Sequence, residues 1–536
     1  MTRSTDRNDA GAEWSGGSEE SGGAVGIEAV GAYAPRYRID AEVVAETWGA
    51  FHGAGISSTA VPAADEDVLT MAAEAASLAR TAAGVPESRT DGTAAGNVDR
   101  LYVGTTTPPD EEEGTAPRLA SILGLPSDVE TRQFAGGTRA GVDALAAALD
   151  TTSRSTDDPD RALVVASDAP RGAPDDGIEH AGGAGAAAVL LGPGGPGLVT
   201  GRAERVEAFP GTRFRPPGSD ETTGLGVTGY ERRAFIDTVA AAAEALDAAS
   251  LAEADAVCLR SPNGKLPYRA AGALGVEADR LQAGTTVHGL GDTGAADVLI
   301  GFASALKTGH EDVVLIGYGS GGGATAMSID ATGVPSRVAI EGDVELSYGA
   351  YLRLRGEITT GEPEGGGAYV SVPSWKRTLP QRHRLEAGRC RACGALAFPP
   401  AGACTACGAL DDYETVRLPG TGTVEAATTI GQGGAPPEFV EQQSRAGAFV
   451  SAVVALDGPD GEGSVSTPAQ VITPVSGAGG PDGDGDEDGD GDEGGDHDGR
   501  DVAIGDRVEA TIRRIYTQEG VTRYGFKMRP IDENEV

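Results

Sequence analysis

Four cysteines in one short stretch, Cys390, Cys393, Cys404 and Cys407, carry the clearest chemical signal in the chain. They read CRAC, then ten residues, then CTAC. Two thiolates per knuckle, presented twice, complete a tetrahedral S4 site of the zinc-ribbon kind, closed and therefore structural. The competing reading is two redox pairs or free thiols. Gly394 and Gly408 weigh toward Zn2+, because each follows the second cysteine of its pair, where a knuckle turns through positive φ. Such a site marks a small domain that needs its ion to fold, set behind a much longer body.

The 536 residues carry a formal net charge of −39, and only four lysines (Lys265, Lys307, Lys376, Lys527) stand among 42 basic residues. An acidic surface depleted in lysine reads as adaptation to molar salt, which screens self-repulsion. An acidic protein from a GC-rich genome is the alternative. Either way, nucleic-acid binding through phosphates is disfavoured. Apolar stretches are strand-length or amphipathic, none approaches a membrane span, and the N-terminus has no signal-peptide core. With thiolate-type cysteines, the chain reads as a cytoplasmic protein.

The elements that hold these residues alternate. Residues 1–24 are polar and Gly/Ser-rich, which predicts disorder. From 25 to 358, strand-like runs such as LYVGT (101–105), ALVVASD (162–168), AAAVLLG (186–192), AVCLR (256–260) and DVVLIGYGSG (312–321) alternate with Ala-rich helices at 67–82, 141–150 and 235–250. This predicts a layered α/β body, with two halves at about 25–200 and 225–358 that suggest an internal duplication. A Gly-rich linker (359–374) leads to a helix and ribbon (375–410). Five short strand patterns at 420–430, 448–456, 468–475, 506–516 and 523–530 then predict a small OB-like barrel over 411–535. Its acidic insert, 476–500, lacks the EF-hand spacing and reads as a solvated loop.

Several segments converge on one family: VGAYAPRYRI (30–39), LYVGTTTPP (101–109), TRAGVDAL (138–145), SDAPRGAPDDGIEHAGGAGAAAVLLG (167–192), RSPNGKLPYR (260–269), YGSGGGATAM (318–327) and SYGAYLRLRGEI (347–358). In this order they resemble the archaeal and bacterial hydroxymethylglutaryl-CoA synthases of the thiolase superfamily. The tail resembles the acyl-CoA-associated zinc-ribbon/OB-fold family, and the charge balance suits a haloarchaeal member. The resemblance implies a duplicated, five-layered thiolase fold, acyltransferase chemistry of the mevalonate kind, coenzyme A or acyl-CoA as ligand, a homodimer or larger assembly, and a thiolase (acetyl-CoA acetyltransferase) as partner.

The chemistry implied is a Claisen condensation run by a cysteine nucleophile at a helix N-terminus, a glutamate base and a histidine. Carried over position by position, that triad is replaced. Thr106 follows Val103-Gly104-Thr105 where the glutamate belongs. Thr138 precedes Arg139-Ala140-Gly141 where the cysteine belongs, and Arg260 stands two residues before Pro262 where the histidine belongs. No cysteine precedes Cys258, which reads as a buried structural thiol on an apolar strand. Arginine is no acid or base near neutrality. His288, paired with Asp292, is the stand-in general base to weigh against a plain loop histidine. Lys265 and Arg269 match the CoA-phosphate side of the family's site, and Gly319 and Gly321 match its glycine loop. Two functions stay open: an acyl-CoA-binding or thiolase-binding protein without its own condensation chemistry, and an acyltransferase with non-standard catalytic residues.

Overall fold

Apolar runs bounded by glycine form the strands, and the Ala-rich stretches between them form the helices that cover those strands. The structure is a computed structural model that describes residues 25–85, 98–152, 161–246, 248–359, 371–410, 412–431, 439–472 and 502–531. The N-terminal stretch 1–24, residues 360–370 of the linker and the acidic insert 476–500 lie outside the described residues.

The first sheet has six strands, in the order Ser336–Ala339, Val25–Tyr33, Gly185–Pro193, Ala162–Asp168, Arg100–Gly104 and Glu130–Phe134. Gly185–Pro193 is antiparallel to both neighbours and the other pairings are parallel. The second sheet repeats this arrangement with four strands: Leu198–Phe209, Gly321–Asp330, Asp312–Gly319 and Ala256–Leu259, with Gly321–Asp330 antiparallel to both neighbours. The shared strand pattern supports the duplication. The second sheet takes up residues 198–209, between the expected halves, and Ser336–Ala339 returns to the first sheet.

Helices and sheets alternate in five layers. Val68–Ala82 and Thr115–Ile122 cover the outer face of the first sheet. Ala140–Thr152 and Asp297–Lys307 fill the space between the sheets, and Thr228–Ala245 and Leu266–Leu274 cover the second. A helix between two sheets is apolar all round. Asp297–Lys307 shows this, with every residue from Asp297 to Ala303 buried.

Behind the body come two short helices, Val372–Arg377 and Leu379–Arg384, then a three-stranded ribbon sheet and a closed barrel. The barrel strands are Thr421–Ile430, Phe449–Asp457, Ser464–Val471, Arg507–Gln518 and Val521–Pro530. The last strand lies between the third and fourth.

Buried charge fastens the barrel to the body. Asp65, Glu66 and Asp67 lead into helix Val68–Ala82, and Glu74 lies on it. The fully buried Lys527 donates to Asp65 Oδ2 at 2.7 Å. Arg513 lies 3.2 Å from Glu66 and 2.9 Å from Glu74. The hydroxyl of Tyr33 donates to Glu66, and that of Thr511 to Glu74. Asp67 does two jobs: Oδ1 caps the helix through the N–H groups of Leu69 and Thr70, and Oδ2 accepts the Tyr524 hydroxyl at 2.6 Å. Burial opposes the charge on Asp65 and Glu74. The cations, Lys527 and Arg513 for Asp65 and Arg513 and Arg529 for Glu74, overcome it and hold both below the ordinary carboxylate pKa.

Candidate functional site

The ribbon strands Glu386–Cys390, Leu396–Ala397 and Tyr413–Arg417 set the two knuckles face to face. Cys390 Sγ lies 3.7 Å from Cys407 Sγ, Cys393 Sγ lies 3.7 Å from Cys404 Sγ, and all four fall within 4.8 Å of one another. Tetrahedral zinc with Zn–S bonds of about 2.3 Å needs sulfur–sulfur separations of about 3.8 Å, so the residues fit the ion. Gly394 (φ 79°) and Gly408 (φ 76°) each return an N–H to the first cysteine's carbonyl at 2.8 Å. Such a site leaves no ligand position open. Freshly purified protein should carry about one zinc per chain. Cys404→Ser should lose it and make residues 377–412 protease-sensitive. Zinc stoichiometry near zero in the unmodified protein would remove the assignment.

Loop 291–297 meets two positions of the expected triad, Thr106 through Asp168 and Arg260 directly, while Thr138 bonds to another strand end, and each of the three side chains is bonded inside the protein. Thr106 follows strand Arg100–Gly104. Its hydroxyl donates to Asp168 Oδ2 at 2.7 Å and its N–H to Oδ1 at 2.6 Å. The hydroxyls of Thr105 and Thr107, the N–H of Thr107 and the N–H of Ala295 complete six donors on this one buried carboxylate. The approach is so close that a Cβ on Gly294 would lie 2.1 Å from Asp168 Oδ2.

Thr138 lies in the turn before helix Ala140–Thr152, and its buried hydroxyl donates to the Tyr318 carbonyl at 2.8 Å. A nucleophile needs a base to take its proton; a backbone carbonyl is not one. Gly319 packs against the Arg139 side chain, and the Gly321 N–H donates to the Thr212 hydroxyl at 3.1 Å.

Arg260, 1% exposed, donates to Asp292 Oδ1 at 2.5 Å and to Asp297 Oδ2 at 3.2 Å. Arg213 binds the other oxygen of Asp292. Burial opposes the charge on Asp292, and Arg213 and Arg260 overcome it, holding the pKa below the ordinary carboxylate value. Asp297, although it also accepts the Ser261 N–H at 2.5 Å, is pushed up by burial to about 6.

The pairing of His288 with Asp292 does not form. Two guanidinium groups, of Arg260 and Arg213, and the Gly294 N–H occupy Asp292. His288 sits with Nδ1 2.6 Å from the Gly55 carbonyl and Nε2 3.1 Å from the Tyr268 hydroxyl. Lys265 and Arg269 stand exposed at the start and middle of the Leu266–Leu274 segment, whose first N–H groups bond Asn263. Cys258 is fully buried, and burial raises its thiol pKa strongly.

The sequence reading missed Asp168, Asp297, Arg213 and Arg215. The signal for the arginines was their spacing in TRFRPP: alternate residues of an extended segment point the same way. Arg213 reaches Asp292, and Arg215 donates to the Thr106 carbonyl at 2.6 Å, while Phe214 between them is exposed. Two shallow clefts open elsewhere, and neither is lined by Thr106, Thr138 or Arg260. No helix among the described residues is long and apolar enough to cross a membrane.

A family model described as the ChsH2 rubredoxin-like zinc ribbon domain matches residues 377–412. The hydroxymethylglutaryl-CoA synthase of Methanocella arvoryzae is 27% identical over 354 residues, covering 63% of this chain and 99% of that protein. The synthase of Pyrobaculum aerophilum is 29% identical over 354 residues, covering 62% and 97%. Among solved structures, MvaS in complex with 3-hydroxy-3-methylglutaryl coenzyme A superimposes with a TM-score of 0.52 at 20% identity, over 65% of this chain and 94% of that one. An HMG-CoA synthase complexed with CoA superimposes with a TM-score of 0.52 at 18% identity, over the same shares. At these identities the structural likeness speaks for the fold. The body of this chain is similar to hydroxymethylglutaryl-CoA synthases and adopts a thiolase-like α/β fold, and its tail carries a ChsH2-type zinc ribbon and a closed five-stranded barrel.

Proposed function

We propose that this chain handles acyl-CoA without running the covalent condensation of the synthases it resembles. One observation carries the proposal: Thr106, Thr138 and Arg260, the residues at which the sequence resemblance places the triad, are each bonded inside the protein. Thr138 has a carbonyl where a nucleophile needs a base, and Arg260 is held as the counter-ion of two aspartates. The synthase structures that share this fold were solved with HMG-CoA and with CoA, which supports a CoA ligand. Lys265 and Arg269, exposed and neighbouring, suit its phosphates by charge. The zinc ribbon and barrel, fixed to the body, support a scaffold role in an acyl-CoA assembly. Its partner would be a thiolase of the acetyl-CoA acetyltransferase type, and the chain itself a dimer or larger.

Labelled acetyl-CoA should leave no covalent acetyl group on the protein, and adding acetoacetyl-CoA should give no HMG-CoA by mass spectrometry. Calorimetry should show CoA binding, weakened about fivefold by Lys265→Ala, the loss of one exposed phosphate contact. HMG-CoA formation at a rate ordinary for an enzyme would overturn the proposal, as would the absence of any CoA binding.

A further inference from the structure

One segment at the start of the tail departs from the chain's acidic balance. Residues 371–391 (SVPSWKRTLPQRHRLEAGRCR) hold six basic residues, Lys376, Arg377, Arg382, Arg384, Arg389 and Arg391, against a single acid, Glu386, in a chain of net charge −39. They form the two short helices Val372–Arg377 and Leu379–Arg384 and the first ribbon strand. Three features fix this segment in place. Helix Leu379–Arg384 packs on body helix Thr115–Ile122 and on barrel strand Val521–Pro530. Arg523 stacks over the Trp375 ring at 4.2 Å. The Arg384 side chain lies against Gly124 and reaches Glu386 at 2.6 Å. A rigid seat therefore presents the outward cations. Lys376 and Arg377 are exposed, as is Arg391, which pairs with the equally exposed Asp412 at 3.5 Å, and with them stand Val372, at 52% exposure, and Pro373.

We infer that this helix pair is a docking surface for a second protein through an acidic patch on that partner. Cations interleaved with exposed apolar groups, around a half-buried tryptophan and on a preordered support, make the composition that protein interfaces favour. Complementary charge would speed the encounter and fix its orientation. A free phosphate ligand fits less well, because the exposed cations stand on the convex first helix and the ribbon rather than in a hollow, and the segment lines neither described cleft. A nucleic acid fits less well again. Its backbone would run beyond the patch onto a surface whose chain total is −39, whereas a folded partner meets the patch alone. The inference does not depend on whether the body binds acyl-CoA.

The test uses the full zinc-loaded chain at the lowest salt that preserves its circular dichroism. A fluorescein-labelled acidic peptide of glutamate and leucine, a labelled single-stranded RNA and CoA are titrated against the unmodified protein, K376E/R377E, K376R/R377K and K307E. The acidic peptide should bind, lose at least about tenfold in affinity in K376E/R377E, and keep its affinity in K376R/R377K and in K307E, a distant exposed lysine. No peptide binding, equal binding to K376E/R377E, or a peptide displaced from Lys376 and Arg377 by CoA or RNA would overturn the inference. CoA binding that survives K376E/R377E leaves the acyl-CoA reading untouched, so the two proposals fail separately.

Discussion

Replacing Arg513 with methionine should lower the stability of the chain by about 3–5 kcal/mol, the range for removing one partner of a buried ion pair. Arg513 is the hub of the seam. It faces Glu66 at 3.2 Å and Glu74 at 2.9 Å, with the Tyr33 hydroxyl 3.5 Å away. Without it, two carboxylates remain buried with hydroxyl donors and the more exposed Arg529. Methionine fills much of the volume, so the loss isolates charge rather than packing. Denaturant unfolding gives the stability, and proteolysis of residues 421–530 reports release of the barrel. R513M/E66Q/E74Q, which removes the stranded charges, should recover more than half of the loss.

Acid should act in the same direction. Asp65 and Glu74 are held below the ordinary carboxylate pKa. The stability they contribute is therefore present above an unfolded value of about 4 and is lost as the pH falls through their folded values. R513M raises those folded values and should bring acid release to higher pH. An R513M chain within about 1 kcal/mol of the unmodified protein would mean that the seam is held by packing and not by charge.

What the sequence made legible follows from how local the signals are. The cysteine spacing, the knuckle glycines and the strand patterns are short-range, and they appear within a few residues of where they were read. ALVVASD forms Ala162–Asp168, and the pattern at 506–516 forms Arg507–Gln518. The barrel segment read at 468–475 instead begins at Ser464, because polar SVST continues the pairing with Phe449–Asp457. Backbone partners override composition at an edge like this.

The charged networks were not legible, because their partners lie far beyond the reach of local patterning, 32 and 79 residues away for Asp292 and 462 for Asp65. Nothing near Asp65 announces Lys527, and nothing near Asp292 announces Arg213 and Arg260. The expectation that the triad is replaced rested on three local positions, Thr106, Thr138 and Arg260. That Asp168 would absorb all three threonines of Thr105-Thr106-Thr107 required the fold, which sets strand ends Gly104 and Asp168 on neighbouring strands.

Arg260→Met should likewise destabilise by about 3–5 kcal/mol near pH 8, and the carboxylate it leaves behind, Asp297, responds to pH in the opposite sense from Asp65 and Glu74 at the seam. Burial holds Asp297 at a folded pKa of about 6, above its unfolded value near 3.8, even with Arg260 beside it. Between those values the native state keeps a proton that the unfolded chain releases, so this group's contribution to stability falls as the pH rises through the window. Removing Arg260 takes away the cation that favours ionised Asp297 and one of the two cations on Asp292, while Arg213 remains on the latter. The folded pKa of Asp297 then climbs further. At pH 5 the carboxyl takes up a proton instead of standing as an unpaired buried charge, and most of the penalty should vanish. Denaturant unfolding of R260M and the unmodified chain at pH 5 and pH 8 measures both arms. An equal penalty at the two values would show that Arg260 is held by shape rather than as counter-ion to Asp297. A negligible penalty at both would return Arg260 to the set of groups free to bind a carboxylate or phosphate, and with it the prospect of ligand chemistry at this site.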